Sequence, residues 1–259
     1  MNAHRKFSDY PAMITVQDIT KRYGHHTAIE NVSFEVKEGE ILGFLGPNGA
    51  GKTTVLDIIC GKTKCSSGNV IFNNQDITNK EEHIISRRGI GRKFQIPSVF
   101  KELTVKENLY VALNSDLGFF KNVLKFFNSS DQNKIEEVAE FVGLKDELDK
   151  TAQFLSHGQT QWLEIALVVL KEPKLVLMDE PTAGMTNYET GLTVKLFNKL
   201  KETRTLIVVE HDMGFVKEIS DVISVMHQGK LLAEGKAQTI EKDAKVKEAY
   251  LGKKGITNA

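Results

Sequence analysis

The run Gly46-Pro47-Asn48-Gly49-Ala50-Gly51-Lys52-Thr53, with Thr54 directly behind it, sets glycines, a lysine and a hydroxyl at a spacing that can hold a polyphosphate. Glycines let backbone N–H groups turn inward onto phosphate oxygens, and the positive end of a following helix adds to the attraction. Lys52 supplies a point charge to the outer phosphates, and the Thr53 hydroxyl is placed to ligate Mg2+. A second reactive group closes the apolar run Leu175-Val176-Leu177-Met178, namely the carboxylates Asp179 and Glu180. Asp179 suits the magnesium shell, and Glu180 suits orienting or deprotonating an attacking water. Loop and carboxylates together describe a P-loop ATPase and leave many families of them open.

Both groups need a parallel sheet to bring them together. Residues 41–45 form an apolar strand that runs straight into Gly46, and a helix begins near Gly51. Residues 175–178, 206–209 and 222–226 are continuous apolar runs, as expected of strands buried on both faces of a parallel sheet. Such a strand delivers its acidic end to the sheet edge that also carries the phosphate loop. Helical stretches around 188–201 and 213–219 separate them. Ahead of the loop, residues 13–19 and 28–36 are expected strands, with Gly24 and Glu38-Gly39 as turn signals; 70–72 and 89–94 are shorter ones. From about residue 96 to 171 the character turns helical. Segments 103–113 and 134–142 carry apolar residues at helical spacing, for example Ile135, Val138, Ala139 and Val142. Phe119, Phe120, Phe126 and Phe127 fit packing inside this helical part, with a membrane-surface role as the alternative. The expected architecture is an α/β core interrupted by a helical insertion.

The chain has 259 residues, 41% hydrophobic and 26% charged, which is enough to bury a core. Its formal net charge is zero, so no overall basic field draws it to nucleic acid or to an anionic membrane. Cys60 and Cys65 lack the second pair or nearby histidine that a metal set needs, and are expected to be reduced thiols. No apolar run approaches the ~18–20 residues of a membrane span, and the polar residues 1–9 lack the apolar core of a signal peptide. The expectation is a cytosolic protein that reaches a membrane through partners.

The string Leu155-Ser156-His157-Gly158-Gln159, followed by a helix and then the acidic strand, resembles the signature motif of ABC ATPases, normally Leu-Ser-Gly-Gly-Gln. Tyr23 ahead of the loop, Gln95 between the motifs and His211 at a later strand end lie in the family's order, and the resemblance spans about residues 13–252. It implies an α/β P-loop NTPase fold with a RecA-like parallel core sheet, an N-terminal antiparallel β subdomain and an inserted α-helical subdomain. The implied single domain covers 13–259, with core and β subdomain in 13–95 and 172–259, the helical subdomain in 96–171, and a tail in 1–12. The resemblance further implies that Tyr23 stacks on adenine, a contact of about 1–3 kcal/mol by analogy with single-strand binders. Gln95 would join Thr53 and Asp179 at the metal and sense the γ-phosphate. His211 would contact the γ-phosphate and position water with Glu180. Ser156, His157, Gly158 and Gln159 would act on ATP held by a facing subunit, so the chain would need a second cassette, identical or related. Two positions depart from the family: His157 replaces a signature glycine, and Thr186 replaces a frequent aspartate.

Further strings look like ATP-binding subunits of branched-chain amino acid and urea importers: Gly91-Arg92-Lys93-Phe94-Gln95, Pro97-Ser98-Val99-Phe100, residues 155–164 and residues 180–186. Trp162 and Val209-Glu210-His211-Asp212-Met213 point toward the urea type. The implied protein is an ATP-hydrolysing motor on the cytoplasmic face of the inner membrane. It would use ATP and Mg2+, join permease subunits, and act indirectly with an extracytoplasmic solute-binding protein. The segment 97–102 is the expected dock for a permease. Motors of amino acid importers or lipopolysaccharide exporters are alternatives. A soluble ABC ATPase acting on nucleic acid or ribosomes is disfavoured by one cassette, zero net charge and no zinc spacing.

Overall fold

The computed structural model describes residues 10–93, 99–114 and 129–251. Chain order begins with a long antiparallel hairpin, β1 (Ala12–Tyr23) and β2 (His26–Lys37), which turns at Gly24 with φ +57°. It continues through β3 (Ile41–Leu45), α1 (Lys52–Ile59), β4 (Ser67–Phe72), β5 (Gln75–Asp76), α2 (Glu82–Arg87) and β6 (Ile90–Lys93). Helices α3 (Val105–Asn114), α4 (Ser129–Phe141) and α5 (His157–Val169) come next. The chain then alternates through β7 (Leu175–Asp179), α6 (Asn187–Leu200), β8 (Thr205–Glu210), α7 (Met213–Ile219), β9 (Val222–His227) and β10 (Lys230–Gly235). Helices α8 (Ala237–Ile240) and α9 (Ala244–Leu251) follow.

Two sheets result. One is antiparallel in the order β2-β1-β4-β5; the other runs β10-β9-β3-β8-β7-β6, parallel except for the edge strand β10. The central strands are buried along their whole length, and apolar but for Asp179, Thr205 and Glu210 at their ends, because each covers a core on both faces. Leu42, Phe44, Leu175, Leu177, Ile207 and Val209 pack with Val55, Leu56 and Ile59 of α1 and with the antiparallel sheet. Their neighbours Ile41, Val176, Met178, Leu206 and Val208 pack on the opposite side with Leu163, Ala166, Phe197 and Phe215 of the helices. Period-two alternation thus splits one strand between two cores, and each fully buried large apolar side chain contributes about 1.5–3 kcal/mol.

The hairpin outruns its apolar stretches, since the polar pairs Arg22↔Thr27 and Tyr23↔His26 prolong it to the turn. Helix α3 starts later than residue 103 because Thr104 and Glu107 exchange bonds across its first turn: Thr104 N donates to Glu107 Oε2 at 2.7 Å, and Glu107 N to Thr104 Oγ1 at 3.1 Å. Helix α4 begins ahead of the expected residue 134, in a polar stretch. Periodicity gave no sign of α2, β10, α8 or α9, which are short or largely exposed. Cys60 and Cys65 are buried free thiols. Phe119, Phe120, Phe126 and Phe127 lie outside the described residues, as do Gln95, Pro97 and Ser98. Among the described residues no helix is long and apolar enough to cross a membrane.

Candidate nucleotide-binding and catalytic site

β3 delivers the chain to Gly46 hard against β9. A Cβ on Gly46 would lie 2.4 Å from the Met226 carbonyl oxygen, so the turn admits only glycine. The loop closes at Gly51, at φ +100°, where a Cβ would meet Ile29 Cγ2 at 2.5 Å. Gly51 caps α1 without a side chain, leaving the first-turn N–H groups with no side-chain acceptor. Such a helix start attracts anions. Asn48, Gly49, Ala50, Gly51, Lys52, Thr53 and Thr54 line a cleft of about 700 Å³ together with Glu180, residues 26–28 and the Gln228-Gly229 turn. That turn pins the loop, because Gly229 N donates to Ala50 O at 3.1 Å. Lys52 is buried, and its Nζ donates to Gly46 O at 2.6 Å and Pro47 O at 3.1 Å. Burial lowers the Lys52 pKa, against the opposing pull of the Glu180, Asp179 and Glu210 carboxylates.

Parallel pairing sets the strand ends level. Leu45 stands beside Glu210, and Asp179 beside Val209, so β3, β7 and β8 finish at one edge. Asp179 is 1% exposed; burial raises its pKa, while Arg92 and the Thr53 hydroxyl pull it down. Arg92 Nη2 stands 3.4 Å from Asp179 Oδ2, and no hydrogen bond reaches the buried Oδ1. A carboxylate with one unbonded oxygen, in a side chain that also interacts with a threonine hydroxyl, is a hard-oxygen donor set that fits Mg2+. Glu180 follows at φ +47°, held there by its N–H to Val209 O at 2.9 Å and by Ala183 N to its own O at 3.2 Å. A left-handed non-glycine residue costs about 1–3 kcal/mol and persists only where its surroundings fix it. His211 Nδ1 lies 3.9 Å from Glu180 Oε1 and 3.8 Å from Glu210 Oε2. Glu210, fully buried, accepts from Thr182 N at 3.0 Å, Thr182 Oγ1 at 2.6 Å and His211 N at 3.3 Å. It ties the loop after Glu180 to the end of β8.

Ser156, His157, Gly158 and Gln159 stand elsewhere, at the start of α5, and none of them lines this cleft. Ser156 caps α5 in a reciprocal box with Gln159: Gln159 N donates to Ser156 Oγ at 3.1 Å, and Ser156 N to Gln159 Oε1 at 2.9 Å. Ser156 Oγ also donates to Glu189 Oε1 at 3.1 Å. Glu189 closes a second box with Thr186 at the start of α6, its Oε2 accepting from Thr186 N and Oγ1 at 2.9 Å each. The Thr186 N–H, its hydroxyl, Ser156 and the Gly158 N–H hold the Glu189 pKa down against slight desolvation. A depressed carboxylate stabilises the fold above its unfolded pKa of about 4.3, and that stabilisation is lost as pH falls through the folded value. Glu189→Gln is therefore expected to flatten the acid side of a melting-temperature profile below about pH 5; a variant as acid-sensitive as the parent would contradict this.

The ABC transporter family pattern matches residues 29–183. A high-affinity branched-chain amino acid transport ATP-binding protein of Pseudomonas aeruginosa, BraF, is 36% identical over 251 residues, covering 93% of this chain and 98% of its own. The chain belongs to the ABC transporter family. It is an ABC-type ATPase with the cassette fold of that family. A crystal structure of an ATP-binding cassette in its ADP conformation superposes with TM-score 0.82 at 31% identity, covering 93% of this chain and 99% of that one. A dimeric, post-hydrolysis cassette bound to ADP and phosphate superposes with TM-score 0.73 at 28% identity, over 87% and 99% of the two chains.

Against the cassette pattern, His157 turns its side chain aside: Nε2 pairs with Ala183 O at 2.8 Å and lies 2.8 Å from where a Gly184 Cβ would be. Thr186 serves as a helix cap. Tyr23 is 51% exposed with Lys21 Nζ 4.7 Å from its ring centroid, and it does not line the cleft. Gln95 lies outside the described residues. Sequence reading gave no role to Arg92, Glu189, Glu210 or Gly229. Of these, only Glu189 has a local signal, the Thr-x-x-Glu capping pattern.

Proposed function

We propose that this chain is the ATP-hydrolysing motor of an ABC importer, working on branched-chain amino acids from the cytoplasmic face of the membrane. Lys52 and the loop 46–54, through the N–H groups of its non-proline residues, hold the triphosphate, and Tyr23, paired across the hairpin with His26 of the cleft wall, stacks on the base. Thr53 and Asp179, with Gln95, hold Mg2+, which when bound neutralises charge on the phosphate oxygens. Glu180 orients and deprotonates the attacking water, with His211 beside it. Ser156, Gly158 and Gln159 act in trans on nucleotide bound by a facing cassette; their separation from the chain's own cleft supports this, as does the dimeric relative. His157, bonded back to Ala183 O, leaves the Ser156 hydroxyl and the first turn of α5 in place for that contact. The cassette comprises the core and β subdomain in 13–95 and 172–259 around the helical subdomain 96–171, and the permease docks on the latter. An extracytoplasmic binding protein supplies the solute.

The observation that carries the reading is the convergence of Lys52, Asp179 and Glu180, all buried or largely buried, at one strand edge, in a chain matched over 93% of its length by a transport ATP-binding subunit. The relative's name favours amino acids over urea, which local strings had put first. A motor touches permease helices and not the solute, so those strings carry no solute chemistry. Deleting the gene should abolish high-affinity leucine uptake and spare urea uptake; the reverse result would restore the urea reading. Affinity capture of the chain from its own membranes should recover permease subunits and a cassette partner, and capture of ribosomes without permease would overturn the transport reading.

A further inference from the structure

The least expected side chain near the site is a buried arginine. β6 passes Ile90 and Gly91, where a Cβ would press on Val168 and Pro173 at 2.9 Å, and then points Arg92 inward, its side chain 4% exposed. Nη1 donates to Asp57 Oδ1 of α1 at 2.5 Å and reaches Cys60 Sγ at 3.1 Å. Nη2 donates toward Asp179 Oδ2 of β7 at 3.4 Å. The Asp57 side chain is 19% exposed and that of Asp179 fully buried. Asp57 lies one helical turn beyond Thr53 on α1. One guanidinium therefore spans the helix that follows the phosphate loop and the strand that ends in the metal carboxylate.

Stability alone accounts poorly for this trio. Buried ion pairs are often matched or bettered by apolar residues of the same volume, because desolvation offsets the attraction. Packing would be served as well by the leucines and isoleucines that fill the remainder of this core. Orientation is different. Asp179 offers two oxygens; Arg92 takes Oδ2, and Oδ1 is left without a protein donor. A carboxylate free to rotate about its Cβ–Cγ bond would exchange those roles. A planar fork anchored on Asp57 prevents this, and a lysine, with a single point of charge, cannot bridge two carboxylates with fixed geometry.

We propose that Arg92 is the positioning residue of the metal carboxylate: anchored by Asp57, it holds Asp179 Oδ2 and so leaves Oδ1, the oxygen with no hydrogen bond, to a divalent cation accompanying the nucleotide. This rests on the assignment of Thr53 and Asp179 as metal ligands. Groups that orient ligands in this way typically change metal affinity by about 10–100-fold when replaced.

The test is calorimetric titration of ADP into the full chain with EDTA or with Mn2+, alongside the Mn2+ resonance spectrum of the complex and the melting temperature. Wild-type protein is expected to bind ADP more tightly with Mn2+. Arg92→Lys should bind ADP in EDTA within about twofold of wild type, yet lose about 10-fold or more of the Mn2+-dependent tightening, with a changed Mn2+ spectrum. Asp57→Asn, at a less buried position, should shift the same increment by several-fold and carries the test if Arg92→Lys does not fold. An unchanged increment in both variants overturns the proposal. Equal weakening with EDTA and with Mn2+, together with a lower melting temperature, assigns the trio to fold stability and overturns it too. Wild-type protein indifferent to Mn2+ would instead sink the metal assignment itself, and this inference with it.

Discussion

Glu180→Gln is expected to cut ATP turnover by about 10²–10⁴-fold while ADP affinity stays within about twofold of the parent. The argument is geometric before it is chemical. Glu180 is the first residue past β7, it lines the cleft with Lys52 and Thr53, and its backbone is locked at φ +47° by bonds to Val209 and Ala183. That lock sets the direction of the side chain, and glutamine fits the same volume and the same backbone. What changes is the proton chemistry: an amide cannot accept a proton from water at neutral pH. His211, with Nδ1 3.9 Å from Oε1, remains to orient the water.

The variant also separates binding from release. With hydrolysis blocked and the phosphate cradle intact, ATP should hold two cassettes together, and size-exclusion chromatography with ATP should give a dimer that the parent forms only transiently. Retained dimer with parental turnover would deny Glu180 its role. Loss of both turnover and ATP-dependent dimer would point to a damaged cleft, and the ADP titration distinguishes that case.

The parts of this site visible in the sequence are those that depend on neighbours along the chain. Gly46 to Thr54 is a local turn between a strand and a helix, and the apolar run before Asp179 announces a strand buried on both faces. The common edge at which these strands end follows from parallel pairing, whereas the order β9-β3-β8-β7-β6 is visible only in the fold. Arg92 was illegible because its partners stand 35 and 87 residues away. Glu210 likewise is an ordinary acidic strand end until Thr182, 28 residues earlier, donates two bonds to it. Thr186 shows the opposite case. Against the family pattern it is only a missing aspartate, whereas in the fold it and Glu189 form a cap that reaches across to Ser156. Solute identity is a different kind of gap, since no side chain of a motor need touch what is carried.

Lys52→Ala should weaken ATP and ADP binding by roughly 10–100-fold, equivalent to the ~1.5–3 kcal/mol of charge-assisted hydrogen bonds that the ammonium supplies. Lys52 is 5% exposed, and its Nζ is held on the carbonyls of Gly46 and Pro47 at the head of the loop. In that position it is a buried cation within the field of Asp179, Glu180 and Glu210, three carboxylates that would otherwise repel a polyphosphate. Removing it therefore acts twice. The phosphates lose a donor, and the acidic edge loses the charge that balances it. Adenosine, which carries no phosphate, separates these electrostatic effects from collapse of the cleft. Its affinity should remain within about twofold while the nucleotides weaken, and the deficit should be larger at low salt, where charge repulsion is screened least. Equal losses for adenosine and ATP would mean that Lys52 holds the loop in shape and does not bind phosphate. Unchanged affinity for all three would remove the phosphate assignment of the loop altogether.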